Sequence, residues 1–151
     1  MQKKTGSEDS QATDCGLSAH TKIAIVGSRS YPKKQDIADY IVKLGKNVEI
    51  VSGGQPKGVD GWAKQCALEQ ELNYTEFTPA HYPRNNYSRN YTKKKYNIKN
   101  YFERNTEIVK FSDKITVFMQ EESPGSMHVL RECHRLKKEH EVFNRFCPYC
   151  G

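Results

Sequence analysis

The sequence has no long run of apolar residues and no apolar segment near its N-terminus. Hydrophobic residues make up 36% of the 151 residues, and no stretch approaches the roughly 18 apolar residues that a membrane-spanning helix needs. Neither a Walker A motif nor a G-x-G-x-x-G motif is present, so the usual signatures of P-loop ATPases and NAD dehydrogenases are missing. We therefore expect a cytoplasmic protein that has no membrane partner.

Cysteine is scarce and odd in number, with five residues and no secretory leader, which favours a reducing compartment. Cys147 and Cys150 form a C-P-Y-C sequence at the C-terminus. This motif matches redox proteins, but a redox pair needs a following helix, and only Gly151 follows. The same pair supplies two of the four ligands of a structural zinc site, to which Cys133, His134 or His140 could add others. Free thiols are the simpler interpretation.

The charge of the chain is positive, with 24 Lys plus Arg against 18 Asp plus Glu and a net charge of +6. Such a balance suits an anionic partner such as a nucleotide or a nucleic acid, although it also serves solubility. Residues 1–20 are polar, and we expect a disordered tail there. The predicted folded domain spans 21–146, and 147–151 form a short C-P-Y-C tail.

Strands and helices alternate along the folded part. Short apolar runs predict strands, and apolar residues at i, i+3, i+4 and i+7 predict the helices between them. The predicted strands are 23–26, 48–51, 74–77, 115–119 and 141–146. This alternation predicts an α/β fold, a Rossmann-like doubly wound parallel sheet of about five strands in the order 3-2-1-4-5, with helices on both faces. Ligands of such sheets bind at the carboxyl ends of the strands, where the strand order reverses.

Three small-residue loops are predicted at that edge. Glycine lets backbone N–H groups approach a ligand closely, and two of the loops lead into helix N-termini, which favour phosphate. The simpler alternative is that each glycine only forms a tight turn. The candidate phosphate-binding residues are Gly27, Ser28, Arg29, Ser52, Gly53, Gly54, Gly58, Arg104, Pro124, Gly125 and Ser126.

Two further polar residues are predicted near the loops. Asp60 falls in the first turn of the second helix, where it either caps the helix or accepts a hydrogen bond from a ligand hydroxyl such as that of ribose. Asn105 falls on the apolar face of the third helix, so its amide needs partners. It either braces a loop through backbone carbonyls or contacts the ligand.

The segment before the third helix is basic and rich in tyrosine. Aromatic rings stack on bases and cations follow phosphates, so the segment is a candidate surface for single-stranded nucleic acid. A solvated loop whose tyrosines pack on the domain, or a flexible lid over the site, are alternatives. The candidate nucleic-acid contacts are Tyr87, Tyr91, Lys93, Lys94 and Lys95.

Four segments together resemble the SLOG superfamily, which includes DprA/Smf proteins and the plant LOG enzymes. They are I-A-I-V-G-S-R (23–29), I-V-S-G-G-Q-P-K-G-V-D-G-W-A (50–63), R-N-T-E-I-V-K-F-S-D-K-I-T-V (104–117) and P-G-S (124–126). The resemblance covers about 22–140 and is greatest to small stand-alone YspA-like members. It implies a Rossmann-like fold.

The resemblance also implies three kinds of activity. Some members are predicted sensors of nucleotide-like ligands, DprA-type members bind single-stranded DNA, and LOG-type members hydrolyse the N-glycosidic bond of a nucleoside monophosphate. Arg104 and Glu132 match the catalytic arginine and glutamate of LOG enzymes. Ser126, His128 and Val129 stand where the LOG motif has Gly, Gly and Thr.

The leading hypothesis from the sequence is a module that binds a phosphorylated nucleoside or nucleotide-derived ligand, ADP-ribose-like or NMP-like, as a sensor or processing module. The alternatives are a LOG-like N-glycosidase, so the existence of an enzymatic activity stays open, and DprA-like binding of single-stranded DNA. No cofactor is predicted with certainty. Exposed sheet edges leave a homo-oligomer open.

Overall fold

The protein was analysed as a computed structural model, which describes residues 20–90, 94–120 and 123–144. Five strands and four helices alternate along the chain, as the sequence predicts. They are β1 (Thr21–Gly27), α1 (Lys34–Leu44), β2 (Val48–Ser52), α2 (Gly58–Glu69), β3 (Asn73–Glu76), α3 (Lys99–Phe111), β4 (Lys114–Met119), α4 (Pro124–Arg135) and β5 (Glu139–Asn144).

The strands form one parallel sheet in the order β3-β2-β1-β4-β5. This order confirms the predicted Rossmann-like α/β fold. The strand order reverses between β1 and β4, so the carboxyl ends of these two strands mark the expected ligand-binding edge.

Alternate residues of the central strands enter two separate cores, because both faces of the sheet are covered. Ile23, Ile25 and Ile50 pack with residues of α1 and α2 on one face. Ala24 and Val51 pack with residues of α3 and α4 on the other face. Helices on opposite faces can therefore reach the same strand end from two sides.

The strand boundaries differ from the predicted ones by one or two residues. β5 begins two residues earlier than predicted, because it is an edge strand with no buried residue and therefore has a weak apolar signal; the predicted positions 145 and 146 lie outside the described residues. Ile98 precedes α3 and is 61% exposed. No described helix has the length and apolar character required to cross a membrane.

Candidate functional site

The loops after β1, β2 and β4 meet at the carboxyl edge of the sheet. Ser28 connects them: its backbone N–H donates to the Phe118 carbonyl at 3.0 Å, and its carbonyl accepts from the Val59 N–H at 3.3 Å. The Ser28 hydroxyl also accepts from the backbone N–H of Gln120 at 3.4 Å. The first turn of α2 and the end of β4 are thus both fastened to the turn after β1.

Gly58 makes the close approach of α2 to this turn possible. Its φ is +73°, in the left-handed region that favours glycine. A Cβ atom at this position would lie 2.4 Å from Cα of Arg29. The N-terminus of α2 and the turn after β1 therefore touch backbone to backbone.

Arg104 and Asp60 reach the end of β2 from opposite faces of the sheet. Asp60 Oδ2 accepts a hydrogen bond from the Gly53 N–H at 3.1 Å. Arg104 donates to the Gly53 carbonyl and, at 3.3 Å, to the Phe77 carbonyl. Gly53 lies between the two side chains, and a Cβ there would be 2.7 Å from both Nη1 of Arg104 and Oδ2 of Asp60.

Burial dominates the electrostatics of this pair. It raises the pKa of Asp60 to about 6, although Arg104 and the backbone N–H groups of Gly53, Gly27 and Gln55 act in the opposite direction. Burial likewise lowers the pKa of Arg104, against the attraction of Asp60. Desolvation outweighs the mutual attraction on both sides, which is expected when two opposite charges are both removed from water.

The raised pKa of Asp60 makes stability depend on pH. Between pH 3.8, the ordinary pKa of an aspartate, and about 6 the folded state retains a proton that the unfolded state has lost, so stability falls as pH rises through this window. The loss amounts to about 3 kcal/mol by the conversion of pKa shift into free energy. The difference in unfolding free energy between wild type and Asp60→Asn, measured by urea denaturation at pH 4 and pH 7, should change by this amount. A difference that is the same at both pH values would contradict the prediction.

The guanidinium of Arg104 has N–H groups that are not used in its bonds to the Gly53 and Phe77 carbonyls. Its Nε donates to Asn105 Oδ1 at 2.9 Å, and one terminal nitrogen serves the two carbonyls. The other terminal nitrogen makes no hydrogen bond within the described residues. A planar guanidinium with free N–H groups at a strand end is suited to a phosphate or carboxylate.

Asn105 is buried, with 8% exposure, which confirms its predicted place on the apolar face of α3. Its partners are not the predicted loop carbonyls: Oδ1 accepts from Arg104, and Nδ2 lies 3.5 Å from Nδ1 of His128. Because a guanidinium only donates, it fixes the amide orientation, and His128 must then accept at Nδ1. Burial lowers the pKa of His128, in keeping with a neutral ring.

Several predicted ligand-binding residues are occupied by internal contacts. The Ser52 hydroxyl lies 2.6 Å from the Tyr74 hydroxyl and accepts the Gly54 N–H at 3.4 Å. The Ser126 N–H donates to the hydroxyl of the N-cap Ser123. Gly27 packs so closely that a Cβ would lie 1.9 Å from the Phe118 carbonyl oxygen. These residues shape the edge.

Other candidates remain open to solvent at the same edge. Arg29, Pro124 and Gly125 are exposed, and Gly54 is half-buried. A Cβ at Gly125 would meet nothing within 4 Å. The exposed backbone at the start of α4 and the Arg29 side chain are therefore the accessible part of the site.

Within the described residues, the hydrogen bonds and the ion pair of Glu132 are with Thr106 and Arg135 and not with Arg104. It accepts from the Thr106 hydroxyl at 2.7 Å and pairs with Arg135 at 2.6 Å. The hydrogen bond from Arg135 is the largest of the effects that lower the pKa of Glu132 to about 2. The described contacts thus hold Glu132 as a charged member of the α3–α4 interface, and its catalytic role stays a prediction.

The candidate nucleic-acid residues divide into two groups. Tyr91 and Lys93 lie outside the described residues. Lys94 and Lys95 are exposed, and Lys94 lies 3.7 Å from Glu103. Tyr87 packs edge-on against Tyr74, with 5.5 Å between ring centroids.

Cys147 and Cys150, the pair that could supply two zinc ligands, also lie outside the described residues. Within the described part of the chain, no three His, Cys, Asp or Glu side chains are grouped to hold a metal ion. His134 and His140 pack against each other at 5.0 Å between ring centroids.

Sequence reasoning missed a buried polar network beneath the loop after β2. Glu76 is 1% exposed and binds the Tyr74 hydroxyl at 2.9 Å, Asn85 Nδ2 at 2.6 Å and Lys64 Nζ at 3.3 Å. Burial raises the pKa of Tyr74, so this phenol stays protonated and links Glu76 to Ser52. A lone glutamate in a short strand gives no signal of these distant partners.

Sequence reasoning also missed the role of His81. Its ring packs against Tyr82, Tyr96 and Tyr101, with centroids 5.1, 4.8 and 5.2 Å away. We call these four residues the aromatic cluster. The frequent tyrosines of this segment were the only feature of the sequence that pointed to the aromatic cluster.

Two solved structures of DNA-processing proteins have the same fold as this chain. DprA from Streptococcus pneumoniae matches with a TM-score of 0.68 and 21% identity over 82% of this chain and 50% of that chain. DprA from Helicobacter pylori, described for its single-stranded DNA binding mode, matches with a TM-score of 0.63 and 26% identity over 82% of this chain and 65% of that chain. The fold is that of these DNA-processing proteins. The chain spans between half and two thirds of their length.

The same fold occurs in a protein that binds a small molecule. The molybdenum cofactor binding protein from Rippkaea orientalis matches with a TM-score of 0.64 and 17% identity over 83% of this chain and 77% of that chain. No family model and no curated protein matches the sequence. Proteins of this fold thus include binders of single-stranded DNA and of a cofactor.

Proposed function

We propose that the protein binds a phosphorylated nucleoside at the carboxyl edge of the sheet, between the ends of β1 and β4. The observation that carries this proposal is the junction at Ser28, where the turn after β1, the start of α2 and the end of β4 are joined. Backbone N–H groups and helix N-termini gathered at such a reversal favour a phosphate.

Charge and hydroxyl recognition support the same ligand class. Arg29 is exposed beside Gly58, and Arg104 has a terminal nitrogen that is unused within the described residues. Both cations suit a phosphate or pyrophosphate group. Asp60 accepts the Gly53 N–H and thereby supports the loop after β2. In this proposal it influences a ribose hydroxyl by positioning that loop.

Isothermal titration calorimetry with AMP and ADP-ribose tests the proposal. Wild type should bind at least one of them, and Arg29→Ala should weaken that binding roughly 10- to 100-fold, the value of a hydrogen bond to a charged group. Lys43→Ala is the matched control, because Lys43 is an exposed cation in the last turn of α1, near the opposite edge. Absence of binding by the folded wild type, or an equal effect of both variants, would contradict the proposal.

Single-stranded DNA is the second candidate ligand, and the likeness to the DprA structures favours it. Lys94 and Lys95 are exposed in the segment that follows the site loops. A single-stranded oligothymidylate in the same titration series separates the two candidates. Binding of DNA would weaken steeply with added salt because counterions are released, whereas a mononucleotide would show a shallow dependence.

A further inference from the structure

The aromatic cluster holds one ring open to solvent. Tyr96 is 68% exposed, yet its ring is supported by His81 at 4.8 Å between centroids and an interplanar angle of 67°. Tyr82 and Tyr101 complete the support, with their centroids 6.4 Å apart. A large aromatic surface that is both exposed and braced is unusual for a solvated loop.

His81 is itself fixed by the start of α3. Nδ2 of Asn100 lies 2.9 Å from Nδ1 of His81 and 3.2 Å from the Lys95 carbonyl. Asn100 is 4% exposed, so this amide belongs to the packed part of the domain. The contact between Asn100 and His81 therefore orders the ring against which Tyr96 packs, which lowers the conformational entropy lost when a planar group stacks on Tyr96.

The aromatic cluster lies next to the phosphate-binding candidate Arg104. The guanidinium carbon of Arg104 is 6.0 Å from the Tyr101 ring centroid, while the same guanidinium reaches the Gly53 carbonyl at the end of β2. Lys94, Lys95 and Lys99 are exposed around the cluster. Contacts run from Arg104 through Tyr101 and His81 to Tyr96, so a ligand with a negative group at one end and a flat ring at the other would meet both Arg104 and Tyr96.

Tyr87 does not offer the same surface. Its ring packs against Tyr74, and Nζ of Lys64 lies 4.9 Å from its centroid. It is 37% exposed, about half the value of Tyr96. Of the two tyrosines, Tyr96 has the more accessible ring.

We propose that Tyr96, braced by His81, stacks on the nucleobase of the ligand whose phosphate is held at the carboxyl edge of the sheet. This inference rests on the proposed function and adds the position of the base. Stacking on an aromatic ring tolerates any base, because every base has a flat π-face. The aromatic cluster would therefore supply affinity for nucleosides as a class, with little preference among them.

The test compares AMP with ribose 5-phosphate, which lacks the base, in wild type, Tyr96→Ala, Tyr96→Phe and Ile98→Ala. Tyr96→Ala should weaken AMP binding roughly 5- to 100-fold and leave ribose 5-phosphate binding unchanged. Tyr96→Phe keeps the ring and should bind AMP as wild type does. Ile98→Ala is the matched control for loss of a large exposed side chain in the same segment, because Ile98 is 61% exposed and lies outside the aromatic cluster; it should bind AMP as wild type does.

The possible failures of the two proposals differ. If wild type binds both compounds and Tyr96→Ala binds AMP as tightly as wild type, the stacking proposal is wrong and the proposed function stands. If folded wild type binds neither AMP nor ADP-ribose, the proposed function is wrong and the stacking proposal falls with it. Because Tyr96 is largely exposed, its replacement should leave the melting temperature nearly unchanged, and circular dichroism verifies this.

Discussion

Replacement of Arg104 with methionine should lower the free energy of unfolding by about 3–5 kcal/mol, the usual result of removing one partner of a buried charge pair. The substitution leaves Asp60, which is 7% exposed, without its cation. It also leaves the carbonyls of Gly53 and Phe77 without the donor that they share. Urea denaturation at pH 7.5 measures the loss.

Three comparisons separate the charge interaction from a general packing defect. Arg131→Met changes an exposed arginine of α4 and should alter stability by no more than about 0.5 kcal/mol. In an Asp60→Asn background, Arg104→Met should cost less than it does alone, by roughly 0.5–3 kcal/mol. The cost should also shrink at pH 5, where Asp60 carries a proton. Strict additivity of the two substitutions would contradict the assignment of an interacting pair.

Gly58→Ala should destabilise the fold by roughly 2–5 kcal/mol, because two costs coincide at this position. The left-handed backbone, with φ of +73°, costs an L-residue about 1–2 kcal/mol. The new Cβ would also lie 2.4 Å from Cα of Arg29, and overpacking of this kind costs about 1–3 kcal/mol. Thermal or urea denaturation gives the total.

Two other glycines serve as matched controls for these costs. Gly45 has φ of +85° and open space around its Cβ position, so Gly45→Ala should show the backbone cost alone. Gly125 has open space and no positive φ, so Gly125→Ala should be close to neutral. The expected order of destabilisation is Gly58, then Gly45, then Gly125. A Gly58→Ala variant as stable as Gly45→Ala would contradict the prediction, because it would show that the contact between α2 and the turn after β1 can shift at little cost in free energy.

The sheet could be predicted because its central strands are covered on both faces. Residues 23–26 form an unbroken apolar run for this reason, and the run identifies β1 without reference to its neighbours. The start of β5 was predicted two residues too late because no residue of this edge strand is buried. The local sequence therefore determines the first and last residues of an edge strand only weakly.

The candidate site was predictable only in part, because glycine spacing places loops but does not say which atoms are already paired. The sequence predicted that Asn105 is buried, yet its partners come from the adjacent arginine and from His128 on another helix. Ser52 was predicted as a ligand contact, whereas its hydroxyl bonds to Tyr74. Such partners depend on the register between neighbouring strands and helices, which a single sequence does not encode locally.

Glu76, the last residue of β3, also takes part in backbone pairing at the outer edge of the sheet. The chain turns back after β3, and Ser88 forms a parallel bridge with Glu76, supported by N–H to carbonyl bonds from Glu76 to Tyr87 and from Arg89 to Glu76. The last residue of β3 therefore has a backbone partner from its own chain where another molecule could otherwise pair. An edge residue whose backbone is already paired is less available to another chain, so the backbone of Glu76 limits edge-to-edge association at the end of β3, while its carboxylate supports the loop after β2.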